Sequence, residues 1–276
     1  MSNELSLAFI GGGNMASALA SGLAGRVVPA ERIHVIEVNE AAHAAWRERG
    51  MTVSAVADER LSACTAWIYA VKPQVMHEVV EQTRPYLRDS LVISIAAGVR
   101  SDSLANWLSQ AGAPWRRLVR CMPNTPSLIG AGASGLAASA DVNDADRALA
   151  TRLLEAVGEV VWVDSDAALD AVTALSGSGP AYVFLFLQAL IDGGVALGMS
   201  AAQSRALALA TLAGATRLAA ESSESPDVLR ERVTSKGGTT AAALDVLTAA
   251  GMSDIVSQAM RAAAERAQQM GDEFAA

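Results

Sequence analysis

The second half of this chain contains no histidine. All three, His34, His43 and His77, lie in the first half of 276 residues. His34 falls within a strand-like run and the other two on helical stretches with polar faces. None has a second ligand or a Ser/Asp partner at useful spacing, so surface or core positions are the plain reading. A histidine proton relay and a metal site are therefore not expected. Aromatic residues are scarce at 4%, which leaves Ala and Gly to bring elements into close contact. The two cysteines, Cys64 and Cys121, sit in apolar stretches without metal-type spacing and read as free buried thiols. A net charge of −8 with no basic stripe excludes a phosphate-backbone partner, so no nucleic acid is expected. The opening "MSNELSLAFIGGG" lacks the basic segment of a signal peptide. The longest apolar run, "PAYVFLFLQALI" from Pro180 to Ile191, reads as too short for a membrane span. The expectation is a cytoplasmic protein with no membrane partner.

What is present fits two domains. Half the residues are hydrophobic and 18% are charged, as in a soluble, core-rich protein. Up to residue 165, apolar strand-like runs alternate with helical patterns. The runs are "LSLAFI" (5–10), "RIHVIEV" (32–38), "TAWIYAV" (65–71), "SLVISIAAG" (90–98) and "RLVRCMP" (117–123). Strands this continuously apolar indicate a parallel sheet covered on both faces. "GASGLAAS" (132–139) and "EVVWVDS" (159–165), flanking a helix at 142–157, read as further strands extending the sheet. From 166 to 276 the strand signals stop and only helices are expected, at 167–175, 179–197, 201–221, 226–234, 239–250 and 252–271. Ser178 reads as the N-cap of a helix with Pro180 in its first turn. That helix is apolar nearly all round and must be buried on every side, which favours a dimer core made by two copies.

"AFIGGGNMASAL" sets Gly11, Gly13 and Ala16 at G-x-G-x-x-A spacing, directly after a strand and opening a helix. The first glycine makes the turn, the second lets backbone approach a pyrophosphate, and the small third residue lets helix and strand pack. Glu37, near the end of the second strand, is placed to bond a ribose diol and favours NAD. Asn39 is placed to donate to a 2′-phosphate instead. The two signals conflict.

Without a histidine relay, an imine is the fitting substrate, since C=N can be protonated before hydride arrives. Three hydroxyl- and glycine-rich segments then matter: "CMPNTPSLIG" (121–130), "SGSGPAY" (176–182) and "VTSKGGTTAAAL" (233–244). In the last, Gly237 and Gly238 free the backbone ahead of a helix whose open N–H groups suit an anion. The plain alternative, a helix capped by Ser235 or Thr239, accounts for one hydroxyl only.

At these residues the chain resembles the Δ1-pyrroline-5-carboxylate reductase family. The likeness runs essentially the full length, through "FIGGGNMASAL", "AVKP" (70–73), "SIAAG" (94–98), "RCMPNTP" (120–126), "LSGSGPAYVF" (175–184) and "TSKGGTT" (234–240). It implies a Rossmann-type doubly wound parallel sheet over 1–165 and an all-α substrate and dimerisation domain over 166–276. The implied assembly is a homodimer that can build decamers. The implied activity is reduction of 1-pyrroline-5-carboxylate to L-proline with NADP(H) or NAD(H). By the same resemblance, Ile10, Gly11, Gly12, Gly13, Asn14 and Met15 hold the pyrophosphate. Ala70, Val71, Lys72, Pro73, Ala96, Ala97 and Gly98 line the nicotinamide side, and Asn39 reaches the 2′-phosphate. Ser235, Gly237, Gly238, Thr239 and Thr240 hold the substrate carboxylate, with Thr240 donating to the ring nitrogen, and Asn124 joins the substrate site. Glu37 stands where relatives often carry a small or neutral residue, and Lys236 where many have proline. The alternatives are a reductase of another small imine or hydroxy acid, and a non-catalytic dinucleotide-binding protein. A hydroxy-acid enzyme would need a helical lysine in the second domain, and Lys236, the only lysine after Lys72, sits in a loop.

Overall fold

The first strand, β1 (Leu7–Ile10), has no polar residue because both its faces are covered. Leu7 and Phe9 enter one core cluster with Leu19, Leu23 and Trp46. Ala8 and Ile10 enter the other with Trp67, Tyr69 and Met76. The structure, a computed structural model, describes residues 4–275. Residues 1–3, on which the reading of the amino terminus partly rests, and residue 276 lie outside that range. After β1 come α1 (Asn14–Leu23), β2 (Ile33–Ile36), α2 (His43–Glu48), β3 (Thr52–Ser54) and β4 (Ala66–Tyr69). Then follow α3 (Met76–Thr83), β5 (Leu91–Ser94), α4 (Ser101–Trp107), β6 (Leu118–Met122), β7 (Gly132–Ala138), α5 (Asp144–Glu155) and β8 (Gly158–Trp162).

The eight strands form one sheet in the order β3-β2-β1-β4-β5-β6-β7-β8. The first six are mutually parallel, and the order reverses between β1 and β4, where such sheets bind ligands. Register aligns Ile10 with Ile36 on one side and Tyr69 on the other, so Gly11, Glu37 and Ala70 leave the sheet at one level. The two additional strands do extend the sheet, but β7 runs antiparallel to β6 and carries β8 with it. The connection from Met122 to Gly132 is too short for a parallel crossover, which takes a dozen or more residues. The edge strand β3, only three residues long, is absent from the sequence reading.

Beyond β8 the structure corrects one boundary. α6 (Ala168–Val172), a π turn (Thr173–Gly177) and α7 (Gly179–Ala196) make one continuous helix of 29 residues. Ser178 is not an N-cap. It is helical itself (φ −84°, ψ −20°), and its N–H donates to the Thr173 carbonyl at 2.8 Å. Joined in this way, the helix is long and apolar enough to cross a membrane by length and composition alone. Shortness of the apolar run therefore excludes nothing. α8 (Ala201–Glu221) starts from a Ser200–Gln203 capping box, and α9 (Pro226–Arg232), α10 (Thr239–Ala249) and α11 (Met252–Ala275) complete the chain.

Contacts divide the chain into two units. One runs through β8, α6 and the π turn to Ser178 and takes back the chain from Ala262; the other is Gly179–Arg261. The sheet ends at Trp162, close to the boundary expected near 165, but the compact unit continues further. The first unit owns both core clusters. In the second, only Ser204 and Ala208 are buried among the described residues, while Phe184 is 63% and Leu185 74% exposed.

Candidate active site

The turn after β1 is built by three glycines with three different surroundings. Gly11 has φ +97°, and its N–H donates to the Ile36 carbonyl at 2.9 Å. A Cβ there would stand 2.7 Å from Val71 Cγ1 and 2.8 Å from the Ala70 carbonyl oxygen. Only glycine satisfies both the backbone angle and the approach of the Ala70–Pro73 segment. Gly12 lies against Glu37 and Trp46, where a Cβ would come within 2.8 Å of Glu37 Oε2 and 2.9 Å of the indole nitrogen. Gly13 is the N-cap of α1, has no side-chain cap, and a Cβ on it would meet nothing within 4 Å. Ala16 is fully buried against the sheet. The first turn of α1 thus keeps its N–H groups open behind an uncovered Gly13, a cradle that fits a pyrophosphate. Asn14 is exposed beside it, and Met15 is half-buried.

Glu37 organises the neighbouring strand end. Its Oε2 accepts the Gly12 N–H at 2.8 Å and its Oε1 the Asn39 N–H at 2.7 Å. The Asn39 side-chain oxygen accepts from the Ala41 N–H, capping the turn at Glu40–Ala42. The His43 ring nitrogen Nε2 lies 2.6 Å from the Glu37 carbonyl oxygen, so this buried histidine serves the strand end. Sequence reasoning placed Glu37 here but missed Trp46 and His43. The only signal for them was an aromatic and a histidine on the helix following β2.

On the other side of β1, Lys72 is exposed and Ala70, Val71 and Pro73 are half-buried. In the loop after β5, Ala97 is half-buried, whereas Ala96 and Gly98 are buried. Gly98 (φ +76°) backs onto α11, where a Cβ would sit 2.8 Å from Met270 Cβ and 3.3 Å from Phe274. Nearby, a cavity of about 470 Å³ is lined by Arg100, Arg120, Asp166 and Asp170. Both its arginines are paired, Arg100 with Asp272 at 2.7 Å and Arg120 with Asp166 at 2.6 Å, so it offers an anion no free cation. Asn124, expected at the substrate, spends its amide largely within the fold. Its oxygen accepts from the Ala133 N–H at 2.8 Å, and its nitrogen donates to the Ser176 carbonyl at 3.1 Å.

In the second unit, α10 starts at Thr239 with Gly238 as its N-cap and no side-chain cap. The alternative of capping by Ser235 or Thr239 is thereby overturned. Gly237 has φ +72°, and Gly238 passes so close to Ser235 that a Cβ would lie 2.4 Å from the serine hydroxyl. Thr234 bonds back to the Arg230 carbonyl at 2.6 Å. The hydroxyls of Ser235, Thr239 and Thr240 make no internal hydrogen bond among the described residues. Thr240 is half-buried; Ser235, Lys236 and Thr239 are exposed.

Acid–base groups are few. Burial pushes the Cys64 thiol up to about 11 and the Cys121 thiol up to about 12, so neither forms a thiolate near neutrality. Burial likewise raises the Tyr69 phenol, which shares a 2.6 Å hydrogen bond with Thr83. No group of three or more metal-ligating side chains exists among the described residues.

Comparison with known proteins gives this geometry a context. Residues 166–270 match the family model described as pyrroline-5-carboxylate reductase dimerisation. Residues 6–98 match one described as NADP oxidoreductase coenzyme F420-dependent. A pyrroline-5-carboxylate reductase of Pseudomonas aeruginosa is 42% identical over 270 residues, covering 97% of each chain. The chain belongs to the pyrroline-5-carboxylate reductase family. The Pisum sativum member is 36% identical and covers 98% of this chain and 97% of its own. Among solved members, one from Coxiella burnetii superposes with a TM-score of 0.88 at 36% identity, covering 96% of this chain and 98% of its own. Another, from Plasmodium falciparum with NADP bound, gives 0.86 at 30% identity, covering 98% and 99%.

Membership makes the chain an NAD(P)H-dependent oxidoreductase with a Rossmann-type sheet and a helical dimerisation domain. The dimerisation match spans the residues whose apolar side chains stand exposed in a single copy. Val183, Phe184, Leu185, Leu207 and Val246 are all more than half exposed. A family dimer accounts for that surface.

Proposed function

We propose that the protein reduces the C=N bond of 1-pyrroline-5-carboxylate to give L-proline, the last step of proline synthesis. The observation that carries this reading is the start of α10, where an uncapped helix terminus and three unengaged hydroxyls follow two glycines. Open N–H groups and the positive end of the helix suit the substrate carboxylate, held by Ser235, Gly237, Gly238, Thr239 and Thr240. Thr240 hydrogen-bonds the ring nitrogen. Ile10, Gly11, Gly12, Gly13, Asn14 and Met15 hold the pyrophosphate, with Ala70–Pro73 and Ala97 on the nicotinamide side. A bound reduced nicotinamide supplies a hydride to the imine carbon.

The protein's part is to bind, orient and offer mild donors. A protonated imine needs no strong general acid from the protein. The Asn124 side-chain amide also braces the chain between Ala133 and Ser176. Ala96 and Gly98 belong to the same loop, and Gly98 packs against Met270 of α11. The working form is a homodimer, with decamers as a further assembly, in the cytoplasm.

The test follows nicotinamide absorbance with pyrroline-5-carboxylate and, separately, with a 2-keto acid. Oxidation with the imine alone supports the reading. Oxidation with the keto acid alone would replace it with a hydroxy-acid dehydrogenase.

A further inference from the structure

We infer that Glu37 makes this enzyme prefer NADH over NADPH. The inference rests on the reading of residues 10–15 as the dinucleotide loop. A carboxylate accepts hydrogen bonds and never donates them, with about four lone-pair sites on its two oxygens. Two of Glu37's sites are taken, one on each oxygen, by the N–H groups of Gly12 and Asn39. One site on each oxygen remains, which matches the two hydroxyl donors of an adenosine ribose diol. The position is right for that role, since Glu37 directly follows the last residue of β2, the strand beside β1, and touches the glycine turn.

A 2′-phosphate reverses each of these terms. It removes one hydroxyl donor and brings oxygens that only accept, with up to two negative charges. Among the described residues Glu37 forms no ion pair. The nearby guanidinium of Arg49 is engaged on α1, donating to Ser17 and Ser21 while lying 5.3 Å over the Trp46 ring. Asn39, the residue placed to greet a phosphate, is drawn to Glu37 instead. Its backbone N–H goes to Glu37 Oε1 and its side-chain oxygen to Ala41, leaving only the side-chain amide nitrogen as a donor. The carboxylate cannot swing away cheaply, because doing so strands the Gly12 N–H that it holds at 2.8 Å.

The experiment measures binding of NADH and NADPH to the full-length protein by nicotinamide fluorescence, without imine, alongside kcat/KM for each cofactor. Wild type is expected to favour NADH by roughly ten- to a hundredfold, the range for an uncompensated like-charge contact. Added salt should narrow that ratio by weakening binding of NADH less than it relieves NADPH. Glu37→Gln and Glu37→Ser should move the ratio toward NADPH by about tenfold or more. A role confined to shaping the loop would instead shift both cofactors together. Equal or tighter binding of NADPH by wild type overturns the inference whether or not the variants fold. So does an unchanged ratio in Glu37→Gln with wild-type circular dichroism. A clear NADH preference in binding, with neither cofactor oxidised by pyrroline-5-carboxylate, would sink the reductase reading and leave this inference standing.

Discussion

The side-chain amide of Asn124 donates to the carbonyl of Ser176, the carbonyl that an α-helix would pair with the N–H of residue 180. That residue is Pro180, which has no N–H to give. The π turn at Thr173–Gly177 and the Asn124 amide together let the helix pass through the proline without a break. The same amide's oxygen takes the Ala133 N–H at the start of β7. Asn124→Ala therefore strands one acceptor and one donor in a half-buried setting. A loss of roughly 1–3 kcal/mol is expected from unmade hydrogen bonds of this kind. Denaturant midpoints at fixed protein concentration measure it, and Asn124→Asp should recover part by restoring the acceptor. An unchanged midpoint in Asn124→Ala would show that the π turn alone accommodates Pro180.

Thr240→Ala removes the proposed hydrogen bond to the ring nitrogen without touching a capping bond, since α10 has no side-chain cap. Expected is a fall in kcat of roughly ten- to a hundredfold, the contribution of one positioned proton donor, with stability unchanged. Thr240→Ser should retain most of the activity. A kcat equal to wild type in Thr240→Ala removes this hydroxyl from the reaction.

The exposed apolar side chains of α7 call for a second copy. Phe184→Glu and Leu185→Glu each place a charge where hydrophobic cover is required. Light scattering should show the dimer shifting toward monomer, with a lower Tm that rises with protein concentration. Preservation of the wild-type mass in both variants would mean that this face is covered some other way.

His34 supplies a pH dependence of known sign. Burial strips water from its imidazolium and lowers its pKa below 6.5, more than Asp58 raises it, and Arg60 lowers it further. Its Nδ1 pairs with Thr52 at 2.8 Å, and Nε2 lies 3.4 Å from Asp58. The unfolded chain takes up the proton first. Stability from this site is thus whole above pH 6.5 and is lost as pH falls from there through the lowered folded value. Asp58, also lowered, loses its share only below its ordinary 3.8. Urea midpoints across this acid range should slope in wild type and flatten in His34→Asn. A wild-type midpoint that rises as pH falls below 6.5 would contradict the assignment.

The sequence was most informative where residues act locally. Continuous apolar runs marked β1, β2, β4, β5 and β6, and the glycine spacing marked the turn after β1. It was silent where distant residues decide. β3 has three residues and a single buried side chain, too little pattern to read. The reversed direction of β7 depends on how short the preceding connection is. Pro180 read as a helix start because its compensating donor lies at Asn124, more than fifty residues earlier. Gly98's contact with Met270 likewise has no local signature. Glu37 was visible as an acid at a strand end, but its hold on the Gly12 N–H appears only in three dimensions.

The most direct measurement is the amount of L-proline formed per NAD(P)H oxidised when the purified protein meets pyrroline-5-carboxylate. Expected is one proline for each cofactor consumed, with none formed when either reactant is withheld. Tight cofactor binding with no proline produced would contradict the assignment of this chain as a working imine reductase.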